Sequence, residues 1–397
     1  MKDMVIFTMG TRGDVQPYIF LAQALQQAGC AVSIGTHPCW ANLVAQHNIP
    51  FVPIGPDIDI EHEAALIRKK VKNPLFAMLK TMQFVFNIIQ NSSGDIYEAC
   101  KNKSLVIVSH SQMGATEAEA LNIKTVNVTL QTEMLGQPYK KKSALDKLVA
   151  FFINKQMVKP YNKIRKLYSL PPLTSLDEGM SPYLNLIPVS RHIVQPNPYW
   201  AKQNQIVGYW YNDAPYTPDK ELAAFLKSGD KPVILSLGAM SFEREADIAK
   251  LDIFVHTFAK LGLRAVIQGF NKTSAGYALP KTMMYVGSVP HSWLFRQGYC
   301  VIHHCGFGTT ASALLYGIPS IPVPHILDQF AFANQIYNLN AGVAPIKASK
   351  LTVPALAEAL NNLQDNYEEI HASVTGLSHQ LQQEEGLRQA VELILNV

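Results

Sequence analysis

The stretch that decides the fold runs Val301-Ile302-His303-His304-Cys305-Gly306-Phe307-Gly308-Thr309-Thr310 and continues to His325, Asp328 and Gln329. Cys300-Val301-Ile302 is a short apolar run of the kind that forms a buried parallel strand. A turn with two glycines and two threonines follows, and Ala311 to Tyr316 opens a helix. Strand, glycine turn and helix N-terminus together predict an anion site. The glycines admit the backbone closely, the threonines cap and donate, and the helix dipole turns its positive end to a phosphate. A second strand, Ser320-Ile321-Pro322-Val323-Pro324, delivers His325, Asp328 and Gln329 at its carboxyl end, where open α/β sheets hold their ligands.

In order and spacing, His303 to Thr310, Gly317-Ile318-Pro319, Pro322-Val323-Pro324 and Asp328-Gln329 resemble the donor-binding signature of family 1 nucleotide-sugar glycosyltransferases. The bacterial antibiotic and sterol-type branch, with its paired histidine before the glycine turn, is the nearest match. The resemblance implies an α/β protein of the GT-B fold: two Rossmann-like, doubly wound parallel-sheet domains facing a cleft. It implies that His304, Gly306, Gly308, Thr309 and Thr310 hold the donor diphosphate, and that Asp328 and Gln329 hold the sugar hydroxyls. The glycines alone would fit a βαβ turn that binds nothing equally well.

At 397 residues the chain suits two domains, and 48% hydrophobic against 16% charged residues allows sizeable cores. No run of about 18 uncharged apolar residues predicts a membrane span. Met1 to Phe7 lacks the cleavage site and apolar core of a signal peptide. Five cysteines without a CxxC pair suit a reducing cytoplasm and argue against structural zinc. Net charge is only +4, yet fourteen of the 34 basic side chains fall in two acid-poor segments, 66–90 and 139–168. There the lysines alternate with large apolar residues. Core-facing helices with solvated lysine faces explain this pattern, as does a greasy acceptor pocket, with Phe84 and Met134 as its candidates, whose basic rim rests on an anionic membrane. Nucleic acid is not expected, because the interleaved residues have helical periodicity rather than forming stacking platforms.

Val5 to Met9 reads as the first strand, followed by Gly10-Thr11-Arg12-Gly13-Asp14-Val15-Gln16-Pro17 and a helix from Tyr18 that stops at Gly29. The GxxG spacing is not the dinucleotide fingerprint, which weakens an NAD reading. Asp14 stands at a strand's carboxyl end, where it is either a helix N-cap or a catalytic carboxylate. This segment again resembles the sterol-type branch, which implies that Asp14 is the base for the acceptor hydroxyl. His110, at the end of the strand beginning at Leu105, stands where histidine-based relatives carry a supporting carboxylate. It is a partner of Asp14, a pocket residue or an ordinary strand-end histidine.

From Pro171 to Pro218 prolines and polar residues dominate, and Tyr211 to Pro218 is the linker candidate. Pro232 to Leu237 then restarts the strand, glycine turn and helix pattern. Relatives carry a serine after the glycine corresponding to Gly238; here Ala239 stands there, and Ser241 is its candidate substitute. Val289-Pro290-His291-Ser292-Trp293-Leu294-Phe295 resembles the segment that holds the nucleobase, which assigns Val289 and His291 to the donor. Ser288 replaces the base-stacking tryptophan of plant relatives, and Ser312 their ribose-binding glutamate, so uridine and thymidine both stay open. The expected domains are 1–212 for the acceptor, 213–376 for the donor, and a C-terminal helix over 377–397 returning to the first domain.

The reaction implied is inverting transfer of a hexose, glucose from UDP-glucose as co-substrate, to a hydroxyl of a hydrophobic acceptor such as a sterol, lipid or natural product. No acidic DxD pair stands at the donor site, so neither a metal nor a cofactor is expected. Alternatives are a TDP-sugar-dependent natural-product enzyme, an epimerase of the nucleotide sugar, and an idle nucleotide-sugar-binding partner protein. The place expected is the cytoplasm, peripheral to the membrane.

Overall fold

The computed structural model describes residues 2–58, 63, 66, 67, 70, 71, 74–130, 155–213, 215–238, 244–270, 276–326 and 328–397. Two compact units emerge, one of Met1–Tyr211 with Glu384–Val397, the other of Asn212–Gln383.

The first unit is built on seven parallel strands in the order β3-β2-β1-β4-β5-β6-β7. These are β1 (Asp3–Phe7), β2 (Ala31–Thr36), β3 (Phe51–Pro53), β4 (Leu105–Val108), β5 (Thr125–Val128), β6 (Leu184–Ile187) and β7 (Asn204–Ile206). The inner strands are continuous apolar runs because helices cover both faces of a parallel sheet. Met4, Val5, Ile6 and Phe7 of β1 are all sealed from solvent. The helix Arg12–Gln27 buries Val15, Tyr18, Ile19, Leu21, Ala22 and Leu25, a stripe at helical spacing. It starts six residues before the expected Tyr18. Thr11 is the N-cap, and the Asp14 side chain reaches back to the Thr11 backbone, so the first turn is latched upstream of Pro17. Pro17 then interrupts only one early bond of a long helix.

The strands β3 and β7 were not legible as strands. Each has three residues, one with a proline, and β7 lies in the proline-rich stretch. The helical period over 377–395 also divides in two. Tyr367–Gln382 belongs to the second unit, Glu385 turns left-handed at φ 48°, and Gly386–Leu395 packs Ala390, Val391 and Ile394 into the core of the first unit. Gly386 is required there, because a Cβ would lie 2.6 Å from the carbonyl oxygens of Gly208 and Tyr209.

The second unit has five parallel strands in the order β10-β9-β8-β11-β12. They are β8 (Val233–Ser236), β9 (Ala265–Gln268), β10 (Met283–Val286), β11 (Cys300–His303) and β12 (Ser320–Pro322). Phe254 and Phe258 from Arg244–Lys260 and Leu356, Leu360 and Leu363 from Val353–Asp365 fill one side of this sheet. In each sheet the strand succession reverses once, between β1 and β4 and between β8 and β11. Connections leave in opposite directions there and open a crevice at the strands' carboxyl ends. Among the described residues, no helix is long and apolar enough to cross a membrane.

Gly386→Ala should destabilise the first unit by about 1–3 kcal/mol, since two backbone carbonyls must shift to admit one methyl. Thermal unfolding checks this: a lowered midpoint is expected, and an unchanged one would show that the 208–209 backbone yields freely.

Candidate active site

In the second unit the β8/β11 crevice is organised around His304. The turn after β8 contributes Gly238, with φ 59°, and the end of β11 contributes His303 and His304. A Cβ on Gly238 would stand 2.7 Å from His304 Cε1, and one on Gly306 would overlap His304 Nε2. The imidazole therefore occupies space that two glycines from separate loops leave open. Burial pushes its pKa down to about 4, partly offset by the backbone of Ser236, so the ring is neutral near pH 7. His304 Nδ1 is sealed without a partner among the described residues.

Gly306 is the N-cap of the helix Phe307–Leu315, which begins four residues before the expected Ala311. Gly308, Thr309 and Thr310 thus lie inside the first turns, and the expectation that the threonines cap the helix is overturned. The cap position has an extended backbone and, being glycine, makes no side-chain hydrogen bond to the first turn. Thr309 and Thr310 are buried, and Thr310 Oγ1 has no partner among the described residues.

His303 is fully buried, with a pKa pushed down to about 3 by burial first and by His304 and His291 next. Its Nδ1 accepts from the Cys305 amide at 3.3 Å, which helps hold Cys305 in its left-handed conformation at φ 62°. At the end of β12, Gln329 is buried, and its Oε1 accepts from the amides of His325 at 2.8 Å and Ile326 at 3.2 Å. That oxygen is thereby committed to the loop. Asp328 begins the next helix and is exposed. His325, placed at the ligand end of its strand by the sequence but given no role there, has both ring nitrogens sealed without partners among the described residues, and burial, Lys250 and His304 lower its pKa to about 4.

His291 and Val289 follow β10. His291 Nε2 meets Gln268 Oε1 at 3.1 Å, and its ring stacks on Phe295 with centroids 4.4 Å apart. Trp293 packs against Tyr216 at 5.2 Å in the apolar core of this unit.

In the first unit the β1/β4 crevice holds Asp14. It occupies the third position of its helix rather than the N-cap considered for it, and Oδ2 accepts from the Thr11 amide at 2.7 Å and the Thr11 hydroxyl at 2.9 Å. The carboxylate lies against Gly10, whose φ of 135° and lack of a side chain leave it room. Among the described residues no protein donor reaches Oδ1. Tyr18 and Ser109 also reach this crevice and were hidden in the sequence as a core tyrosine and a strand-end serine. Burial, then the charge of Asp14, raises the Tyr18 hydroxyl's pKa, and Ser109 acts against this. His110 follows β4, the parallel neighbour of β1, but no hydrogen bond joins it to Asp14 among the described residues.

Two family models match the chain. Residues 4–113 fit the glycosyltransferase family 28 N-terminal domain. Residues 259–385 fit the erythromycin biosynthesis protein CIII-like C-terminal domain. The sterol 3-beta-glucosyltransferase UGT80A2 of Arabidopsis thaliana is 28% identical over 98% of this chain and 64% of its own length. The sterol 3-beta-glucosyltransferase of Yarrowia lipolytica is 28% identical over 98% of this chain and 28% of its own length. The chain therefore spans less than two thirds of these curated relatives. Among solved structures, the glycosyltransferase VinC in complex with dTDP aligns with a TM-score of 0.73 at 20% identity, covering 99% of this chain and 98% of that one. The spinosyn forosaminyltransferase SpnP aligns at 0.74 and 15% identity, covering 100% and 98%. Both halves of the chain are thus similar to glycosyltransferases, and the fold is that of the GT-B enzymes.

Two candidate positions, Ser241 and Met134, lie outside the described residues. Phe84 is half-buried and packs against the apolar core of the first unit. Among the described residues no cluster of three or more His, Cys, Asp or Glu could hold a metal ion.

His303, His304, His325 and the fully buried His37 of the first unit all have folded pKa values depressed to about 3 or 4. The unfolded chain, with histidines near 6.5, takes up more protons below that pH. Stability is therefore complete above about 6.5 and falls as pH drops towards 4, by about 1.4 kcal/mol per pH unit for each such ring. Unfolding midpoints from pH 7.5 to 4.5 should decline steadily, and a flat profile would contradict the neutral assignments.

Proposed function

We propose that the protein is an inverting, metal-independent hexosyltransferase that moves glucose from UDP-glucose to a hydroxyl of a hydrophobic acceptor such as a sterol, lipid or natural product. One observation carries the reading above the others: a neutral His304, bracketed by Gly238 and Gly306, stands at a helix N-terminus that no side chain caps. The likeness to sterol 3-beta-glucosyltransferases over nearly the whole chain supports glucose and an apolar acceptor.

In this mechanism the leaving diphosphate is stabilised by first-turn amides of Phe307–Leu315 and by His304 Nε2, the nitrogen beside Gly306. A helix terminus contributes only about 0.3–2 kcal/mol to an anion, so several converging donors are needed. Asp328 accepts from the sugar hydroxyls, while Gln329 keeps its loop in place. Asp14 Oδ1 takes the proton of the acceptor hydroxyl, with Oδ2 held by Thr11. The acceptor C–O bond forms as the bond to the diphosphate breaks, and the anomeric centre inverts in one displacement. Tyr18, protonated, faces the same carboxylate and keeps its charge localised. The lysines exposed along Lys159–Leu167 suit a peripheral rest on an anionic membrane facing the cytoplasm, from which a lipid acceptor is drawn.

A second reading, a TDP-sugar donor, is favoured by the thymidine diphosphate bound in VinC and in the glycosyltransferase SsfS6, which aligns at 18% identity. Turnover of UDP-glucose against TDP-glucose separates the two.

Asp14→Asn should lower kcat by about 10²–10⁴ with nucleotide binding intact. A transfer assay with UDP-glucose and a sterol acceptor, run with and without EDTA, checks both the base and metal independence. Full activity in the variant would remove Asp14 from the role, and loss of wild-type activity in EDTA would remove metal independence.

A further inference from the structure

Gln268, the last residue of β9, is not used by this transfer mechanism. In register it stands beside Ser236 of β8, which stands beside His303 of β11, so three strand ends form a polar row under the loops. Gln268 Nε2 donates to the carbonyl oxygens of Val289 at 2.6 Å and Gly287 at 3.3 Å. These two acceptors set the amide's orientation and turn Oε1 towards His291 Nε2, 3.1 Å away. An amide oxygen only accepts, so the network assigns the proton to Nε2. Ser236 Oγ adds weaker contacts, 3.4 Å from His291 Nε2 and 3.5 Å from Gln268 Oε1. One side chain thereby holds the 287–289 turn and both the orientation and tautomer of His291.

We propose that Gln268 is the positioning residue for the nucleobase of the donor: by bridging Gly287, Val289 and His291 it pre-forms the surface against which the base is held. The inference rests on reading the second unit as the donor site, and adds to it a residue that touches no substrate. Its physical content is preorganisation. A turn already ordered in the unliganded protein does not have to be ordered by the nucleotide, so less binding free energy is lost on association.

The test is calorimetric titration of wild type, Gln268→Leu and Gln268→Glu with UDP and TDP, followed by donor KM and kcat. Leucine removes all three bridges. It should weaken nucleotide binding at least about tenfold and raise donor KM in parallel, with kcat within about threefold, a split expected when binding common to ground and transition states is lost. Glutamate keeps an acceptor towards His291 but cannot donate to the two carbonyls. Among the groups that face His291 are Ser236 of β8, position 268 of β9, His303 of β11 and Phe295 of the turn after its helix, and His303 is held neutral by burial. The new carboxylate is then the only added charge and favours the imidazolium. The pH profile of nucleotide affinity in Gln268→Glu should therefore be displaced to higher pH relative to that of the wild type. Wild-type affinity in the leucine variant overturns the proposal and leaves the donor site standing. If leucine prevents folding, a glutamate variant with the wild-type affinity and the wild-type pH profile overturns it. A wild type that binds neither nucleotide overturns the donor reading itself.

Discussion

Both units depend on one constraint of parallel sheets: every strand must be reached by a crossover, and where the direction of crossing reverses, two loops diverge from adjacent strand ends. That point lies between β1 and β4 in the first unit and between β8 and β11 in the second. The chemistry-bearing residues gather there because the backbone cannot close the gap. Asp14 and His110 follow the first pair of strands, Gly238 and His304 the second. The sealed cores beneath, from Met4–Phe7 to Val233–Leu235 and Val301–Ile302, give these loops a rigid base.

On that base the two crevices have opposite electrostatic characters. The first presents a carboxylate with one oxygen held by Thr11. The second presents helix-terminal amides and imidazoles held neutral by burial. Neutral donors suit a leaving group that gains charge during reaction, because their dipoles are already oriented and need no reorganisation. Glycine performs the same task in both crevices. At Gly10, Gly238 and Gly306 the missing side chain is the space that Asp14 or His304 occupies.

The succession of strand, glycine turn and helix around Gly306 was legible, because an apolar run, two glycines and a helical period mark it in the sequence, whereas Asp328 was named from the family resemblance. Cap identity was harder to read. Gly306 and Thr309 both suit helix starts, and only the backbone angles show that the glycine is the cap. The first helix was expected only from Tyr18, because the reach of Asp14 back to Thr11 is a three-dimensional contact. The division of the C-terminal period at Glu385 had no marker, since a left-handed glutamate looks like any helical one. Gln268 was invisible as well: at the end of Ala265-Val266-Ile267 it reads as a polar strand terminus, and its partners at Gly287, Val289 and His291 come from another loop.

The most direct measurement of the central claim, that residues around His304 hold a nucleotide sugar, is thermal unfolding of the purified protein with UDP, TDP, GDP, UDP-glucose and TDP-glucose in turn. A ligand bound only by the folded state at about 100 times its Kd adds roughly 2.7 kcal/mol, a visible shift. The account predicts a selective rise with the uridine ligands that is lost in His304→Ala. No shift with any nucleotide, or one that His304→Ala leaves intact, would contradict it.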